Sequence, residues 1–317
     1  MEIAADNMDR LLAVEMRRRG RGRGFKWVLY ETARAQSDQP LVLAAAAALD
    51  RPPGKVAIVT GAAVPQHMPA GENDGPFGAV ALARALGAIG HDATIWSDIE
   101  CIPPIEGLLR FMKLGTAAAT LRMGDTAQQE EIARGADIVI AIERLGGNIN
   151  GHLHGISGVP RDAFQVNVDH LFRTATALGR TTIGIGDGGN EVGFGRIREA
   201  LIARMPEHNQ EAATPCGGGI YSALPTDILV IGSTSNLGSY GVMAALAMRR
   251  GDLSLCRDPE VEVALHHVGV GLGLTDGGGG GVIAECDGIP AVANAAVVTL
   301  LNNIAARELD PPRARGF

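Results

Sequence analysis

The sequence predicts an α/β fold, in which a mostly parallel sheet is covered by helices on both faces and preceded by a helical N-terminal lead. Apolar residues form 46% of the 317 residues, aromatic residues only 4%, and 43 residues are glycine. Small aliphatic cores with many tight turns are typical of α/β proteins. Short apolar runs also alternate with helical patterns beyond Lys55. These runs lack polar alternation, which indicates strands buried on both faces.

The lead comprises residues 1–54. Apolar residues at helical spacing predict helices over residues 8–19, 25–36 and 41–49. A glycine-rich segment at residues 20–24 separates the first two helices, and a Ser-Asp-Gln-Pro turn at 37–40 separates the next two. The Arg-Pro-Pro-Gly sequence at residues 51–54 ends the lead.

The body, residues 55–317, alternates strands with helices. We predict strands at residues 56–60, 93–96, 138–142, 182–185 and 228–231, and helices at residues 78–90, 126–135, 163–179, 192–205, 238–250, 259–272 and 290–308. The sequence shows no internal repeat or long linker, and its one low-complexity stretch is the five glycines at residues 277–281. A single domain over residues 1–317 is therefore the simplest organisation.

Charge and cysteine content restrict the partners that we expect. The net charge of −7 argues against general nucleic-acid binding. For the cluster Arg17, Arg18, Arg19, Arg21 and Arg23, we favour a solvated helix end and loop over a patch for an anionic partner.

The four cysteines are scattered without a CxxC pair, which predicts free thiols in a reducing compartment. The longest clean apolar stretch, residues 41–49, is too short to cross a bilayer, and the N-terminus lacks an apolar signal core. We therefore expect a cytoplasmic protein with no membrane partner, and a homo-oligomer stays open.

The most informative segment is residues 186–195, which follow the predicted strand 182–185. Glycines there permit positive φ and close backbone approach to a ligand. Asp187, Asn190 and Glu191 lie among them, and buried acids are costly unless they are paired with a cation. Oxygen-rich acidic turns suit Mg²⁺ or Mn²⁺ better than Zn²⁺. The segment is therefore predicted to be a site and not a structural turn.

Polar residues also follow the other predicted strands. Glu72 and Asp74 precede the helix at 78–90, Glu143 and Arg144 follow the strand 138–142, and residues 233–236 follow the strand 228–231. Parallel strands expose their carboxyl ends at one edge, where ligands bind. We therefore expect these side chains to converge there.

Each of these motifs has a structural alternative. Asp74 can cap a helix instead of binding a ligand, and Glu143-Arg144 can form a surface ion pair. Residues 233–236 can cap the following helix or bind an anion. Gly184, Gly186 and Gly189 form a GxGxxG sequence, but the charge of Asp187 would repel a pyrophosphate, so nucleotide binding is the weaker interpretation. The histidines are interpreted as packed or exposed side chains and not as metal ligands.

Together these motifs resemble the D-glutamate cyclase family, in its C-terminal domain. The most specific matches are residues 72–79 with 82–86, Glu143-Arg144, and residues 185–195; residues 232–241, 276–277 and 287–288 match more weakly. The resemblance extends from the N-terminal helices to about Asp287.

The resemblance implies an α/β fold, a divalent metal and the dehydrative closure of D-glutamate to 5-oxo-D-proline. It implies Mg²⁺ or Mn²⁺, with Ca²⁺ as a further candidate, held by Asp74, Asp187, Glu191 and Asp276. Glu143 or Glu72 would take the ammonium proton. A small amino-acid or carboxylate substrate would be held by Arg144, Ser233, Ser235, Asn236, Asn190, Gly188 and Gly189.

The chain departs from the family pattern at residues 150–155, where Asn-Gly-His-Leu-His-Gly replaces a segment with an acid. Two alternatives therefore stay open. One is a metal-dependent phosphohydrolase, or another small-acid hydrolase, that uses the same acidic loops. The other is a non-catalytic protein that binds a metal or a small acid.

Overall fold

The computed structural model describes residues 1–17 and 24–310, and it confirms the α/β class. A six-stranded sheet has the order β3-β2-β1-β4-β5-β6, and every pairing in it is parallel. Its strands are β1 (Lys55–Thr60), β2 (Asp92–Ser97), β3 (Ala117–Thr120), β4 (Ile138–Ile142), β5 (Thr181–Gly186) and β6 (Ile228–Ile231). The strand order reverses between β1 and β4, which is where ligands bind in such sheets.

Helices cover both faces of the sheet. Within the described residues they are α1 (Glu2–Leu12), α2 (Phe25–Arg34), α3 (Leu41–Leu49), α4 (Pro76–Ala88), α5 (Ile102–Phe111), α6 (Thr126–Gly135), α7 (Asp169–Ala177), α8 (Arg198–Arg204), α9 (Pro206–Asn209), α10 (Ser235–Arg250), α11 (Pro259–Gly271) and α12 (Ala291–Leu309). Alternate strand residues point to opposite faces. Val59 and Val139 pack in a core with residues of α6 and α7, whereas Ile58 and Ile140 pack in a larger core with residues of α3, α4 and α10.

The five predicted strands are confirmed to within one residue at each end, whereas β3 and α5 were not predicted. The edge strand β3 consists of Ala-Ala-Ala-Thr, which carries little hydrophobic signal. Two predicted helices start late. The helix expected at 192–205 begins at Arg198, because Gly193 has a φ of 107° that no helix accommodates. The helix expected at 163–179 begins at Asp169.

The lead packs against the body through α1 and α3, which contact α10 and α12. Helix α1 lies earlier than the predicted 8–19, because Ala5, Met8 and Leu12 already give it a buried face. Within α1, the Asp9 carboxylate accepts N–H bonds from Leu41 (2.6 Å) and Val42 (3.1 Å) at the start of α3. Burial raises the pKa of Asp9 to about 7. Of the arginine cluster, Arg18, Arg19, Arg21 and Arg23 lie outside the described residues.

A short antiparallel hairpin, β7 (Glu285–Cys286) and β8 (Ile289–Pro290), follows the glycine run. Asp287 lies in its turn with a φ of 55°. No helix in residues 1–17 and 24–310 has the length and apolar character that crossing a bilayer requires.

Candidate active site

Three carboxylates meet at the carboxyl edge of the sheet. Asp74 precedes α4, Glu143 directly follows β4, and Asp187 follows β5. Each offers an oxygen that lies within 4.8 Å of the oxygens of the other two. Asp74 and Asp187 are buried and Glu143 is partly exposed. The predicted convergence of these three acids is therefore seen, next to the point where the strand order reverses.

Asp74 is fixed by the N-terminus of α10. Its Oδ1 accepts N–H bonds from Gly75 (3.0 Å) and Asn236 (2.8 Å), and its Oδ2 accepts one from Ser235 (2.9 Å). The positive end of the helix dipole favours this carboxylate. Asp74 therefore caps α10 while it contributes to the cluster, and the anion site predicted at residues 233–236 is filled by Asp74 itself.

Glu143 is held in a strained backbone conformation. Its φ is 48°, a region that residues other than glycine rarely adopt. Ser235 Oγ donates a hydrogen bond of 2.5 Å to Glu143 Oε2. Gly75 has a φ of 94°, and a Cβ there would lie 2.9 Å from Glu143 Cβ. Such strain persists where the surroundings impose it, and it is frequent at functional sites.

Two cations from the lead neutralise Asp187. Lys26 Nζ donates to both Asp187 Oδ2 and Asp187 O at 2.5 Å, and Arg17 Nη2 donates to Asp187 Oδ2 at 2.8 Å. Arg17 also pairs with Asp287. Burial alone would raise the pKa of Asp187, but the two cations outweigh it and hold that pKa at about 2. Burial lowers the pKa of Lys26, and Asp187 opposes that effect.

Sequence reasoning missed both cations. The prediction of a solvated helix end is wrong for Arg17, whose side chain is 26% exposed. Lys26 lies between Phe25 and Trp27 on an amphipathic helix, and a lone lysine in that setting is normally solvated. Only the docking of α2 on the body buries it, so no local signal was available.

We call the space around these carboxylates, at the carboxyl edge of the sheet, the crevice. Its other acids, Glu143, Glu72 and Asp74, are not neutralised by neighbouring cations as Asp187 is. Burial, followed by the charges of Asp187 and the other acids, raises the pKa of Glu143 well above its ordinary value. Burial and Asp74 do the same for Glu72, and burial and Asp187 raise the pKa of Asp74 to about 6. A bound cation would relieve this repulsion. Metal–oxygen bonds of about 2.0–2.6 Å are compatible with the spacing of the three oxygens, so the donor set fits Mg²⁺, Mn²⁺ or Ca²⁺.

Glu191 lies in the loop where it was predicted, and its carboxylate is held by that loop's own backbone. Its carboxylate accepts N–H bonds from Asp187 (2.8 Å), Gly188 (2.7 Å) and Gly189 (2.7 Å). It therefore closes the loop of residues 186–191 from inside, and within the described residues the group of oxygens that lie within 4.8 Å of one another comprises Asp74, Glu143 and Asp187 without Glu191. The hydrogen bonds to Glu191 also occupy the N–H groups of Gly188 and Gly189 that were predicted to bind substrate. A pyrophosphate would need the same donors, so the nucleotide alternative loses its support.

Arg144 and Asp276 are also engaged in structural contacts. Arg144 is fully buried and donates to Asp98 Oδ2 (2.5 Å) and Oδ1 (2.9 Å), to Gly61 O (2.9 Å) and to Val166 O (2.5 Å). Its terminal nitrogens are thus not available to anchor a substrate carboxylate. Asp276 accepts N–H bonds from Gly278, Gly279 and Gly288, which close the glycine-run loop and leave little for a metal.

The other predicted substrate-binding residues differ in availability. Asn236 Oδ1 accepts N–H bonds from Gly75 (3.0 Å) and Gly78 (2.6 Å), and Asn190 Nδ2 donates to His154 O (2.9 Å). In contrast, the buried hydroxyl of Ser233 has no hydrogen-bond partner within the described part of the chain, and neither does Thr60 Oγ1 at the end of β1. These two hydroxyls lie at the carboxyl ends of β1 and β6 with hydrogen-bonding capacity that the described residues do not use.

Comparison with known proteins shows the family to which the sequence is similar. Residues 9–302 match the model of a family described as D-glutamate cyclase-like, C-terminal. Over 195 residues, or 57% of the chain, the sequence is 30% identical to the human mitochondrial D-glutamate cyclase. That match covers 30% of the human protein, so the chain spans under a third of its relative.

Two solved structures show a distant likeness. RecJ from Thermus thermophilus in complex with Mn²⁺ gives a TM-score of 0.35 at 14% identity, over 87% of this chain and 39% of the other. An actinorhodin polyketide ketoreductase with NADPH gives 0.30 at 13% identity, over 80% and 92%. Scores this low do not bear on function.

Proposed function

Since the chain belongs to the family of D-glutamate cyclase-like C-terminal domains, we propose that it closes D-glutamate to 5-oxo-D-proline with loss of water. The observation that carries this proposal is the meeting of Asp74, Glu143 and Asp187 at one crevice. Because the chain covers only part of its human relative, the activity of that protein is transferred here as a proposal.

A divalent cation held by Asp74, Glu143 and Asp187 would neutralise and polarise the γ-carboxylate of the substrate, which is otherwise a poor electrophile. The protein preorganises these ligands. Three N–H groups orient Asp74, Ser235 orients Glu143, and Lys26 with Arg17 keeps Asp187 ionised. Such preorganisation lowers the cost of reaching the reactive geometry.

The reaction also requires proton transfer. The substrate ammonium gives up two protons as its nitrogen bonds to the carbon of the γ-carboxylate, and one carbon–oxygen bond of that carboxylate breaks as its oxygen takes up two protons and leaves as water. Glu143 is suited to move them, because it is partly exposed and a positioned carboxylate can both take up and give back a proton. Glu72, which is partly exposed and has a raised pKa, is the second candidate.

The α-carboxylate needs an anchor other than Arg144. We assign this role to Arg161, which is partly buried and lies over the ring of Phe164 at 5.7 Å. Burial lowers the pKa of Arg161, and the nearby charge of Glu72 opposes that effect. The Arg161 guanidinium thus lies within electrostatic reach of the crevice and can bind a carboxylate through two hydrogen bonds.

The decisive experiment incubates the purified chain with D- or L-glutamate, with and without Mn²⁺ or Mg²⁺, and measures 5-oxoproline by chromatography. We expect D-glutamate to be consumed with the metal, and Asp187→Asn to lose at least about tenfold in rate, since even outer-shell partners of metals contribute about that much. Asp92→Asn is the matched control, because Asp92 is exposed and lies at the opposite edge of the sheet, where β2 begins.

Three results would contradict the proposal. The first is that neither enantiomer is consumed under any metal condition. The second is Mn²⁺-dependent hydrolysis of phosphate esters in place of cyclisation, which would support the phosphohydrolase. The third is tight Mn²⁺ binding without turnover of either substrate, which would support a binding protein.

A further inference from the structure

A second group of reactive side chains lies outside the acidic crevice. Cys216 Sγ lies 3.8 Å from His154 Nε2, and Asn148 Nδ2 donates to Cys216 Sγ at 3.2 Å. His154 and Asn148 are buried, whereas Cys216 is partly exposed. A thiol beside an imidazole that is itself held in place is the arrangement of an activated nucleophile.

The hydrogen bonds around His154 favour the tautomer that can accept the thiol proton. Asn148 Nδ2 lies 2.7 Å from Gly219 O, 3.2 Å from Cys216 Sγ and 3.4 Å from His154 Nδ1, and we place its two hydrogens on the two nearer acceptors. His154 Nδ1 lies 3.3 Å from His152 O, to which only a protonated Nδ1 can donate. In that tautomer Nε2 carries the lone pair and faces Cys216.

The surroundings of Cys216 also favour its thiolate. Burial would raise the pKa of Cys216, but hydrogen bonds from Asn148 and Gly218 outweigh it, so its pKa is lowered. The other three cysteines differ. Burial raises the pKa of Cys101 to about 12 and that of Cys256 to about 11, and it raises that of Cys286 well above the ordinary value. Reactive cysteines have thiolates that are stabilised and accessible, and Cys216 meets both conditions.

We propose that Cys216 is a modification site that exchanges with low-molecular-weight disulfides. The Cys216 sulfur attacks one sulfur of the disulfide as its proton passes to His154 Nε2. The disulfide bond breaks, a mixed disulfide forms on Cys216, and the departing thiolate takes the proton back from His154. The small disulfide is the oxidant, and a free thiol reverses the reaction by the same route.

The pair of Cys216 and His154 lies beside the loop that carries Asp187 and Glu191. His154 O accepts the hydrogen bond of Asn190, which lies in the glycine loop between Asp187 and Glu191. Pro215 and Gly217, on either side of Cys216, are exposed, so a small disulfide can approach from solvent.

The test treats the native chain with oxidised glutathione and, separately, with the uncharged hydroxyethyl disulfide, and follows adducts by intact mass and peptide mapping. We expect one adduct, on Cys216, which dithiothreitol removes. Cys216→Ser should abolish it and Cys256→Ser, the control at another partly exposed thiol, should not change it. His154→Gln should slow it about 10²-fold, the lower end of what a positioned base contributes, because the variant lacks the nitrogen that accepts the thiol proton.

Equal labelling of Cys216 and Cys256 in the native chain would overturn the proposal, as would an unchanged rate in a folded His154→Gln variant. Should that variant fail to fold, the urea-unfolded wild-type chain serves in its place, and the preference for Cys216 must disappear there. Because no turnover is measured, this result is independent of the cyclase activity.

Discussion

Two buried groups of charged side chains in this molecule have opposite electrostatics. In the first, Glu262 of α11 binds Arg257 Nε at 3.0 Å and His266 Nε2 at 3.1 Å. Burial alone would raise the pKa of Glu262, but Arg257 outweighs it and that pKa is about 2. In the second, Glu143 lies among other acids and its pKa is raised. Glu262 is buried and paired with cations, whereas Glu143 is partly exposed and lies among like charges.

The difference separates structural from functional acids. A buried acid that serves the fold is matched by cations and hydrogen bonds, because an unmatched charge is costly. Arg144 and Asp98 follow this rule, although Arg144 is adjacent to Glu143 in sequence. Asp74, Glu143 and Glu72, whose pKa values are raised, break it, and unbalanced titratable groups in a cleft are typical of sites that bind cations or transfer protons.

The largest effect that we predict tests this distinction at Glu143. Glu143→Gln should lower the cyclisation rate by about 10²–10⁴-fold, the usual contribution of a positioned acid or base. In metal-free buffer the same substitution should leave the free energy of unfolding unchanged or higher, because it removes one of several like charges. Enzyme kinetics and urea unfolding measure the two effects. A marked loss of stability would show that Glu143 is a structural acid.

The next prediction concerns the paired group. Glu262→Gln should lower the free energy of unfolding by about 3–5 kcal/mol, since it leaves the buried Arg257 without its counter-charge. The cyclisation rate per folded molecule should not change. Glu260→Gln, at an exposed position of the same helix, is the control and should have almost no effect on urea unfolding. A loss below about 1 kcal/mol for Glu262→Gln would mean that this pair behaves like a surface ion pair.

The same contrast explains which parts of the molecule the sequence could predict. Strands such as 138–142 are predictable because a buried parallel strand is apolar throughout, and the acids that follow them are predictable because strand direction places them at one edge. The roles of Glu191, Asp276 and Arg144 were not predictable. Residue type does not reveal whether the hydrogen bonds of a buried side chain are made to a backbone N–H group, to a partner such as Asp98 or to a ligand.

Lys26 and Arg17 were beyond local sequence reasoning for a related reason. Their burial depends on how the lead docks on the body, which is a long-range contact. Edge strand β3 was missed for a different reason. Its three alanines give little hydrophobic signal in the sequence, although the strand pairs with β2 along its whole length.

A third prediction concerns how the free energy of unfolding depends on pH when no metal is present. Asp74 titrates at about 6 in the folded chain against 3.8 ordinarily, and Glu143 is raised as well. The folded state therefore binds more protons than the unfolded state above pH 4, so in metal-free buffer its stability should fall as pH rises from about 4 to 7. Glu262 has a lowered pKa, so its ionised form stabilises the folded state. This stabilisation is lost as pH falls toward 2.

Mn²⁺ should reverse the trend of the crevice acids, because it binds their ionised forms. At a hundredfold excess over its dissociation constant it should add about 2.7 kcal/mol, and thermal unfolding should show a larger gain near pH 7.5 than near pH 5. Glu143→Gln should reduce this gain, whereas Asp92→Asn should keep it. An equal gain at both pH values would mean that the cation does not compete with protons in the crevice.

The smallest predicted effect compares backbone strain in a surface turn with backbone strain at the candidate active site. Lys113 and Glu143 both have positive φ, at 54° and 48°, but Lys113 is exposed and follows the C-cap of α5, where glycine is preferred. Lys113→Gly should raise the free energy of unfolding by about 0.5–1 kcal/mol, as relief of strain outweighs the added freedom of the unfolded chain, with full activity. Glu143→Gly should gain at least as much and lose the activity. If urea unfolding shows no gain at Glu143 while Lys113→Gly is stabilised, the crevice does not store strain, and its acids are held at no conformational cost.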